Sequence, residues 1–191
     1  MSTSNKHPID HWPARPYPGE RPAYSWRLAG HMVHHLIAAG RGWMDAATGE
    51  DLDLGERVFI LAYGSNANPG KLLSIDAVIL QAEITDARAV WCNARRGEGS
   101  VVATLVEAPG HVEPCPILAV TPEDLWTVDD WEFPAYERVP FWGRCTLENG
   151  TRIASEANVG GPLRSPLVID GSHVGLHDFD HAYVDALVAP R

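Results

Sequence analysis

The pattern of apolar and polar positions predicts a chain with many strands and few helices. The clearest strand signal is the apolar run Val58–Tyr63, which ends at Gly64. Other segments are rich in Val, Ile, Leu and Thr and are bounded by turn residues. These predicted strands are Val78–Ala89, Val101–Glu107, Cys115–Val120, Arg138–Leu147 and Thr151–Val159, the last two joined by the Asn149-Gly150 turn.

Three segments have helical signals. Between residues 24 and 39 the apolar side chains recur at roughly helical spacing, and Gly40 supplies a stop, so an amphipathic helix is predicted. Thr121-Pro122 is typical of a helix start, with a hydroxyl cap and proline at the first helical position. That helix is predicted to run to about Trp131, and a short one over Asp178–Leu187.

The chain divides at about residue 56 on its proline content. Five prolines fall within residues 1–24, so neither a helix nor a central strand persists there, and an extended surface arm is predicted. We therefore predict a Pro-rich N-terminal arm with its amphipathic helix over residues 1–56 and a core domain over 57–191. The core is of the α+β class, a strongly curled sheet or small mixed β-barrel with flanking helices.

Charge and composition exclude several classes of function. The 191 residues carry a net charge of −10 and no basic cluster, so neither nucleic acid nor an anionic membrane is an expected partner. No apolar run approaches a membrane span, and the polar N-terminus is unlike a signal peptide. Three widely spaced cysteines, Cys92, Cys115 and Cys145, give no disulfide framework, which favours a cytoplasmic protein.

The break after the first strong strand is the first candidate site. Gly64 lets a ligand approach the backbone closely, and Ser65 and Asn66 add short polar side chains beside successive N–H groups. Consecutive amides of this kind bind anions, and a carboxylate suits an acidic protein. The alternative is an ordinary strand-to-helix turn, capped by one of these side chains.

Glu132 is the second candidate. It lies at the end of the predicted helix, beside Trp131, Phe133 and Pro134. A carboxylate that is desolvated by such neighbours holds a proton more readily, which suits proton transfer. The alternative is a solvated glutamate next to a turn.

Together these two stretches resemble the γ-glutamylcyclotransferase-like family. Tyr63-Gly64-Ser65-Asn66 is similar to its Y-G-S-N signature, and residues 128–132, followed by Tyr136-Glu137-Arg138-Val139, are similar to its L-D-x-x-E and Y-x-R-V pattern. The resemblance covers about residues 57–160 and implies a small β-barrel with a cavity over the Y-G-S-N loop. It implies that residues 63–66 hold the α-carboxylate and amine of a γ-glutamyl group, that Glu132 is the catalytic acid/base, and that Tyr136 lines the site.

The resemblance also implies a reaction. The α-amine of a γ-glutamyl compound attacks its own γ-amide carbonyl and releases 5-oxoproline and an amine, without a cofactor. Ala67, Phe133 and Val128 depart from the family's pattern, which leaves the substrate open. A non-catalytic small-molecule-binding protein, or a different amide-processing enzyme on the same fold, is the alternative. The N-terminal arm is expected to cover its own core or a neighbouring subunit, so a homo-oligomer is a possible assembly.

The histidines were the remaining candidates for chemistry. His31, His34 and His35 have i, i+3, i+4 spacing in the predicted first helix, and His177 and His181 have i, i+4 spacing. Such pairs can bind zinc, but no cysteine or further ligand stands nearby, so no metal site is predicted. If Glu132 is the acid/base, it should face Gly64–Asn66 across one cavity, partly buried, with no arginine or lysine paired to it.

Overall fold

The computed structural model describes residues 5–97 and 99–188 of the chain. The ends of the predicted arm and core domain, residues 1–4 and 189–191, lie outside the described residues. Within them the fold is mixed α and β, with few helices and extensive sheets. Its strands are β1 Lys6–Pro8, β2 Trp26–Ala29, β3 Met32–Ala39, β4 Gly42–Asp45, β5 Asp51–Leu52, β6 Val58–Leu61, β7 Val78–Leu80, β8 Ala82–Arg95, β9 Val101–Pro114, β10 Ile117–Val120, β11 Tyr136–Pro140, β12 Cys145–Leu147, β13 Arg152–Ile153, β14 Glu156–Gly160, β15 Val168–Ile169 and β16 Ser172–His173.

Two α-helices and several 3₁₀ turns complete the described part of the chain. Helix α1 begins where the sequence predicts, since the Thr121 side chain accepts a hydrogen bond from the Asp124 backbone N–H. Helix α2 is capped in the same way by Asp180. The helices are α1 Pro122–Glu132 and α2 His181–Leu187, and the 3₁₀ segments are Ile9–His11, Ser65–Ala67, Pro69–Leu72 and Pro162–Arg164.

The strands form one large sheet and two smaller ones. The large sheet has the order β11-β14-β6-β10-β7-β2-β3-β4-β5, with β1 paired to β3. A second sheet has the order β13-β12-β8-β9, and β15 pairs with β16. Strand β6 is interior to the large sheet, as predicted, between antiparallel β10 and parallel β14. The predicted hairpin around Asn149-Gly150 is confirmed by the pairing of β12 with β13.

The α+β class of the prediction is found, but the described residues form no closed barrel. Over the described residues the large sheet is open, with β11 at one edge and β5 at the other. The central strands bury both faces, because successive residues contribute to different apolar clusters: Leu61 to one and Ile60 to the other. One cluster includes Ile84 of the four-stranded sheet, and the other includes Val128 of α1. Stacked layers thus bury the apolar residues without closure of the sheet.

The amphipathic helix predicted over residues 24–39 is also wrong. The segment forms β2 and β3, which pair antiparallel across the Gly30-His31 turn, where Gly30 has a φ of 61°. Glycine within a helix costs about 1 kcal/mol relative to alanine, but it suits a tight turn. Strand β2 also pairs with β7, so Trp26 is fully buried in the large sheet. Tertiary pairing therefore decides the conformation of this segment.

Because this segment forms two strands, the i, i+3, i+4 spacing of His31, His34 and His35 does not place their side chains on one face. Neighbouring residues of a strand point to opposite faces, so His34 and His35 diverge. His34 Nδ1 lies 2.8 Å from Asp45 Oδ2, and the His35 ring packs on Tyr24 with centroids 4.3 Å apart. Over the part of the chain that the structure describes, no three His, Cys, Asp or Glu side chains are grouped as metal ligands. None of the described helices is long and apolar enough to cross a membrane.

Candidate functional site

The polar loop at residues 63–68 lies directly beyond the carboxyl end of β6. The buried strand ends at Leu61, and the chain turns through Gly64 into the 3₁₀ segment Ser65–Ala67. Asn68 ends this turn and caps the next 3₁₀ segment by accepting a hydrogen bond from the Gly70 backbone N–H at 3.0 Å. The side chains of Asn66 and Asn68 are almost completely buried, so the loop is a packed part of the fold.

Glu132 reaches this loop from the last residue of α1. Its Oε1 accepts a hydrogen bond of 3.1 Å from Asn66 Nδ2. The Glu132 side chain is 13% exposed, so the prediction of a partly buried carboxylate is confirmed. Two segments 66 residues apart in sequence therefore meet in one site.

The prediction that no basic side chain pairs with Glu132 is wrong, because Lys71 forms an ion pair with it. Its Nζ lies 3.1 Å from Glu132 Oε1, hydrogen-bonds to Asn66 Oδ1, and lies 3.4 Å from Ser65 Oγ. It also stands over the Trp131 ring, 5.2 Å from the centroid. The sequence signal for it was slight: Pro69-Gly70 begins a tight turn that carries Lys71 back over the loop. We call Asn66, Lys71 and Glu132 the charged wall of the site.

Three tyrosines also line the site, and we call them the tyrosine wall: Tyr17, Tyr63 and Tyr136. Tyr63 is 7% exposed, and its hydroxyl donates to the Asn158 backbone carbonyl of β14. The Tyr136 hydroxyl donates to the Ala103 carbonyl at 2.7 Å. Each of these hydroxyls thus fixes a strand around the site.

The tyrosine wall has raised pKa values, and burial is their largest cause. Burial raises the pKa of all three tyrosines, and the neighbouring phenols and the Glu132 carboxylate raise the pKa of Tyr63 and Tyr136 further. For Tyr17, the hydrogen bond from the Ala103 backbone opposes the effect of burial. The phenols therefore stay protonated and neutral throughout the physiological pH range.

Tyr17 is a site residue that sequence reasoning missed. It comes from the predicted surface arm, yet its ring packs near Trp91 and His181, with centroids 6.0 and 6.4 Å away. Its Oη accepts a hydrogen bond from the Ala103 N–H at 3.1 Å. The only sequence signal was an aromatic residue between two prolines, and nothing local indicates where such a side chain docks.

Asn66 and Glu132 of the charged wall line a small cavity of about 30 Å³ together with the three tyrosines. A wider depression of about 460 Å³ adjoins it on the side of Phe133 and Trp126, and the two spaces share Glu132, Tyr136 and Asn158. All the site residues predicted from the sequence line the small cavity. Its lining comprises Tyr17, Leu61, Tyr63, Gly64, Ser65, Asn66, Arg96, Val102, Ala103, Glu132, Tyr136 and Asn158.

The described side chains around the cavity favour proton transfer over thiol chemistry. Cys92 is completely buried, and burial raises the pKa of its thiol to about 12. A neutral buried thiol is a poor nucleophile. Glu132 is different, because it lies at the junction of the small cavity and the wider depression, where a bound group can reach it.

Comparison with known proteins finds similarity only to solved structures. No family model matches the chain, and no curated protein matches it. Among solved structures, the similar ones include γ-glutamyl cyclotransferases and AIG2-like proteins.

Three of these structures illustrate the distance. A structure described as a gamma-glutamyl cyclotransferase is 16% identical, with a TM-score of 0.48 over 56% of this chain and 68% of that chain. An AIG2-like protein from Mus musculus is 20% identical, with a TM-score of 0.46 over 72% and 98%. The solution structure of At3g28950.1 from Arabidopsis thaliana is 16% identical, with a TM-score of 0.49 over 70% and 79%. All three TM-scores are below 0.5, so the functional proposal rests on the residues of the site.

Proposed function

We propose that the protein is a γ-glutamylcyclotransferase-like enzyme, which cyclises a γ-glutamyl compound to 5-oxoproline and releases an amine or amino acid. One observation carries the proposal: Glu132 and the Gly64–Asn66 loop line the same cavity, with Asn66 Nδ2 and Glu132 Oε1 3.1 Å apart. The proposed reaction needs an acid/base beside an anion-binding loop, and this arrangement supports assigning those roles to Glu132 and to the loop.

The loop is the proposed receptor for the amino-acid end of the substrate. Backbone N–H groups of residues 64–66 and the Ser65 hydroxyl would bind the α-carboxylate. Tyr63 has a supporting role in this scheme, since its hydroxyl already donates to the Asn158 carbonyl and ties the loop to β14. Tyr136 would line the site from β11.

Glu132 is the proposed acid/base. Its carboxylate takes a proton from the substrate's α-ammonium group, and the free amine attacks the γ-carbonyl carbon. A new C–N bond closes the five-membered lactam, and the γ-amide C–N bond breaks. Glu132 gives this first proton to the leaving nitrogen as the γ-amide C–N bond breaks. The attacking nitrogen loses its second proton to the Glu132 carboxylate as it becomes the lactam N–H, and that proton leaves with the released amine as its ammonium form, so protons balance over one turnover. Because the nucleophile belongs to the substrate, the folded substrate gains the advantage of proximity, with effective molarities of about 10⁵–10⁸ M.

Lys71 holds the Glu132 carboxylate in place. Its Nζ lies 3.1 Å from Glu132 Oε1. Asn66 donates to the same oxygen and accepts from Lys71, so the three side chains hold one another in place. The lysine is thus a positioning residue for the acid/base.

The test is a screen of γ-glutamyl dipeptides and γ-glutamyl amines for release of 5-oxoproline. We expect the wild-type chain to convert at least one compound, and Glu132→Gln to be slower by about 10²–10⁴-fold, the usual contribution of a general acid/base. The matched control is Glu123→Gln, an identical change at an exposed position near the start of the same helix. Equal rates for wild type and Glu132→Gln would remove Glu132 from the mechanism.

A non-catalytic small-molecule-binding protein is the second candidate, and the pairing of Glu132 with Lys71 favours it. A carboxylate that is held by a lysine at 3.1 Å and by Asn66 can be part of a structural salt bridge. If no compound in the screen is converted but one binds, with the same affinity for wild type and Glu132→Gln, this second function is the better description.

A further inference from the structure

Tyr17 occupies the space that a ligand on the loop needs. A Cβ atom added to Gly64 would lie 2.4 Å from Tyr17 Oη and 3.5 Å from Cζ. The missing side chain of Gly64 therefore leaves room for the end of the phenol. The same hydroxyl accepts a hydrogen bond from the backbone N–H of Ala103, a residue that lines the cavity.

The segment that carries Tyr17 is anchored both before and after this residue. Asn68 Nδ2 donates to the backbone carbonyls of Trp12 and Pro13, at 3.1 and 3.3 Å, and to that of Glu20 at 2.7 Å. A single buried amide thus joins both ends of the segment that leads to and from Tyr17. We call residues 12–21 the strap.

Arg21 anchors the strap to the loop itself. Its Nη1 lies 3.3 Å from the Ala62 carbonyl and 3.5 Å from the carbonyls of Tyr63 and Gly64. Burial lowers the pKa of this guanidinium, although it remains charged at physiological pH. The strap thereby binds the carbonyl groups at the start of the loop, those of Ala62, Tyr63 and Gly64.

We propose that Tyr17 is a built-in occupant of the site, so that the strap and a ligand's head group exclude each other. The identity of the ligand rests on the proposed function, but the occupancy does not. Tyr17 and the loop together leave about 30 Å³, so a γ-glutamyl group reaches the loop only after the phenol leaves. The ring accounts for most of the volume of the Tyr17 side chain, so it is the ring that must leave.

Phenol itself is the first probe, because it has the shape of the removed side chain. In the full chain, Tyr17→Ala should bind phenol saturably by calorimetry, at least tenfold more tightly than wild type. The matched control is Tyr183→Ala, which removes a tyrosine that is 49% exposed and lies outside the cavity lining. If folded Tyr17→Ala binds phenol no better than this control, Tyr17 is not an occupant and the proposal fails. Should Tyr17→Ala not fold, Tyr17→Val keeps apolar contact with Trp91 and carries the same test.

A γ-glutamyl methylamide and 5-oxoproline are the second probes. We expect Tyr17→Ala to bind them at least tenfold more tightly than wild type, and Tyr17→Phe to resemble wild type because its ring still fills the space. Tighter binding by wild type than by Tyr17→Ala would make Tyr17 a ligand contact and overturn the proposal. If Tyr17→Ala binds phenol but none of the variants binds a γ-glutamyl compound, the occupancy stands and the proposed function fails.

Discussion

The two walls of the cavity use polar groups in opposite ways. In the charged wall, Asn66, Lys71 and Glu132 bind one another through side chains, and the two ionic members keep 19% and 13% of their side chains exposed. In the tyrosine wall, the hydroxyls bind backbone groups: Tyr63 binds the Asn158 carbonyl, Tyr136 the Ala103 carbonyl and Tyr17 the Ala103 N–H.

The charged wall is therefore suited to chemistry, whereas the tyrosine wall determines the shape of the site. A partly exposed ion pair stays within reach of a bound group and can exchange hydrogen bonds with it. Buried phenols whose pKa is raised remain neutral, and their bonds to backbone fix the strands. Mutations in the charged wall should therefore change activity more than stability, and mutations in the tyrosine wall should do the reverse.

The largest expected effect is that of Lys71→Met. A charge-assisted hydrogen bond contributes about 1.5–3 kcal/mol, so we expect a loss of roughly tenfold or more in kcat/KM for whichever γ-glutamyl compound the wild type converts. The loss should appear in kcat more than in KM, because the lysine positions the acid/base and not the substrate. Lys71→Arg should restore part of kcat, and an unchanged kcat in Lys71→Met would show that the lysine has only a structural role.

The next effect, on stability, is that of Gly64→Ala. The new Cβ would lie 2.4 Å from Tyr17 Oη, so overpacking should lower the free energy of unfolding by about 1–3 kcal/mol in a denaturant titration. Adding Tyr17→Phe removes the clashing oxygen and leaves Cζ at 3.5 Å, an ordinary contact. The double variant should recover most of the loss. Without such recovery, the glycine would be needed for another reason.

Tyr136→Phe tests the tyrosine wall alone. It leaves the Ala103 carbonyl without the hydrogen bond from Tyr136, and we expect a loss of about 1–2 kcal/mol in the free energy of unfolding. Tyr183→Phe, at a half-exposed position, serves as the control and should change stability little. A large loss of activity with unchanged stability in Tyr136→Phe would place this residue functionally with the charged wall.

The smallest effect at neutral pH becomes visible in alkali. Because the pKa of each phenol in the tyrosine wall is raised in the folded state, their contribution to stability is complete below about pH 10, the unfolded value, and is lost as the pH rises above it. Melting temperature should fall steeply above that pH, and tyrosinate absorbance should rise together with unfolding. Ionisation of all tyrosines in the still-folded protein at the unfolded pKa would contradict the burial of this wall.

Local chemistry made part of this site predictable. Thr121-Pro122 marks the start of α1, and an apolar strand precedes Gly64. Both the helix that carries Glu132 and the loop could therefore be located from the sequence. Their meeting followed from a family resemblance, whereas the pairing of Glu132 with Lys71 required the fold of the loop. The residues' roles in binding and catalysis stay predictions.

Long-range contacts explain what the sequence did not indicate. The segment 26–39 has apolar spacing compatible with a helix, but pairing of Trp26 with Ile79 of β7 selects the strand. Tyr17 lies in a Pro-rich stretch typical of a solvated arm, and its contacts are with Ala103, Trp91 and His181, all more than 70 residues away. Periodicity and turn chemistry describe neighbours in sequence and are silent about such partners.

The single amide of Asn68 has a consequence for the order of folding. The carbonyls it binds lie 48–56 residues earlier in the chain, and its own position depends on the finished turn between residues 65 and 72. Closing loops of that length has an entropic cost. The hydrogen bonds to Asn68 offset this cost only after the turn that positions Asn68 has formed. The N-terminus, although synthesised first, should thus be the last part to acquire its native contacts, and a pulse-labelling hydrogen-exchange experiment should find the Ala103 amide protected later than the amides of β6 and β10.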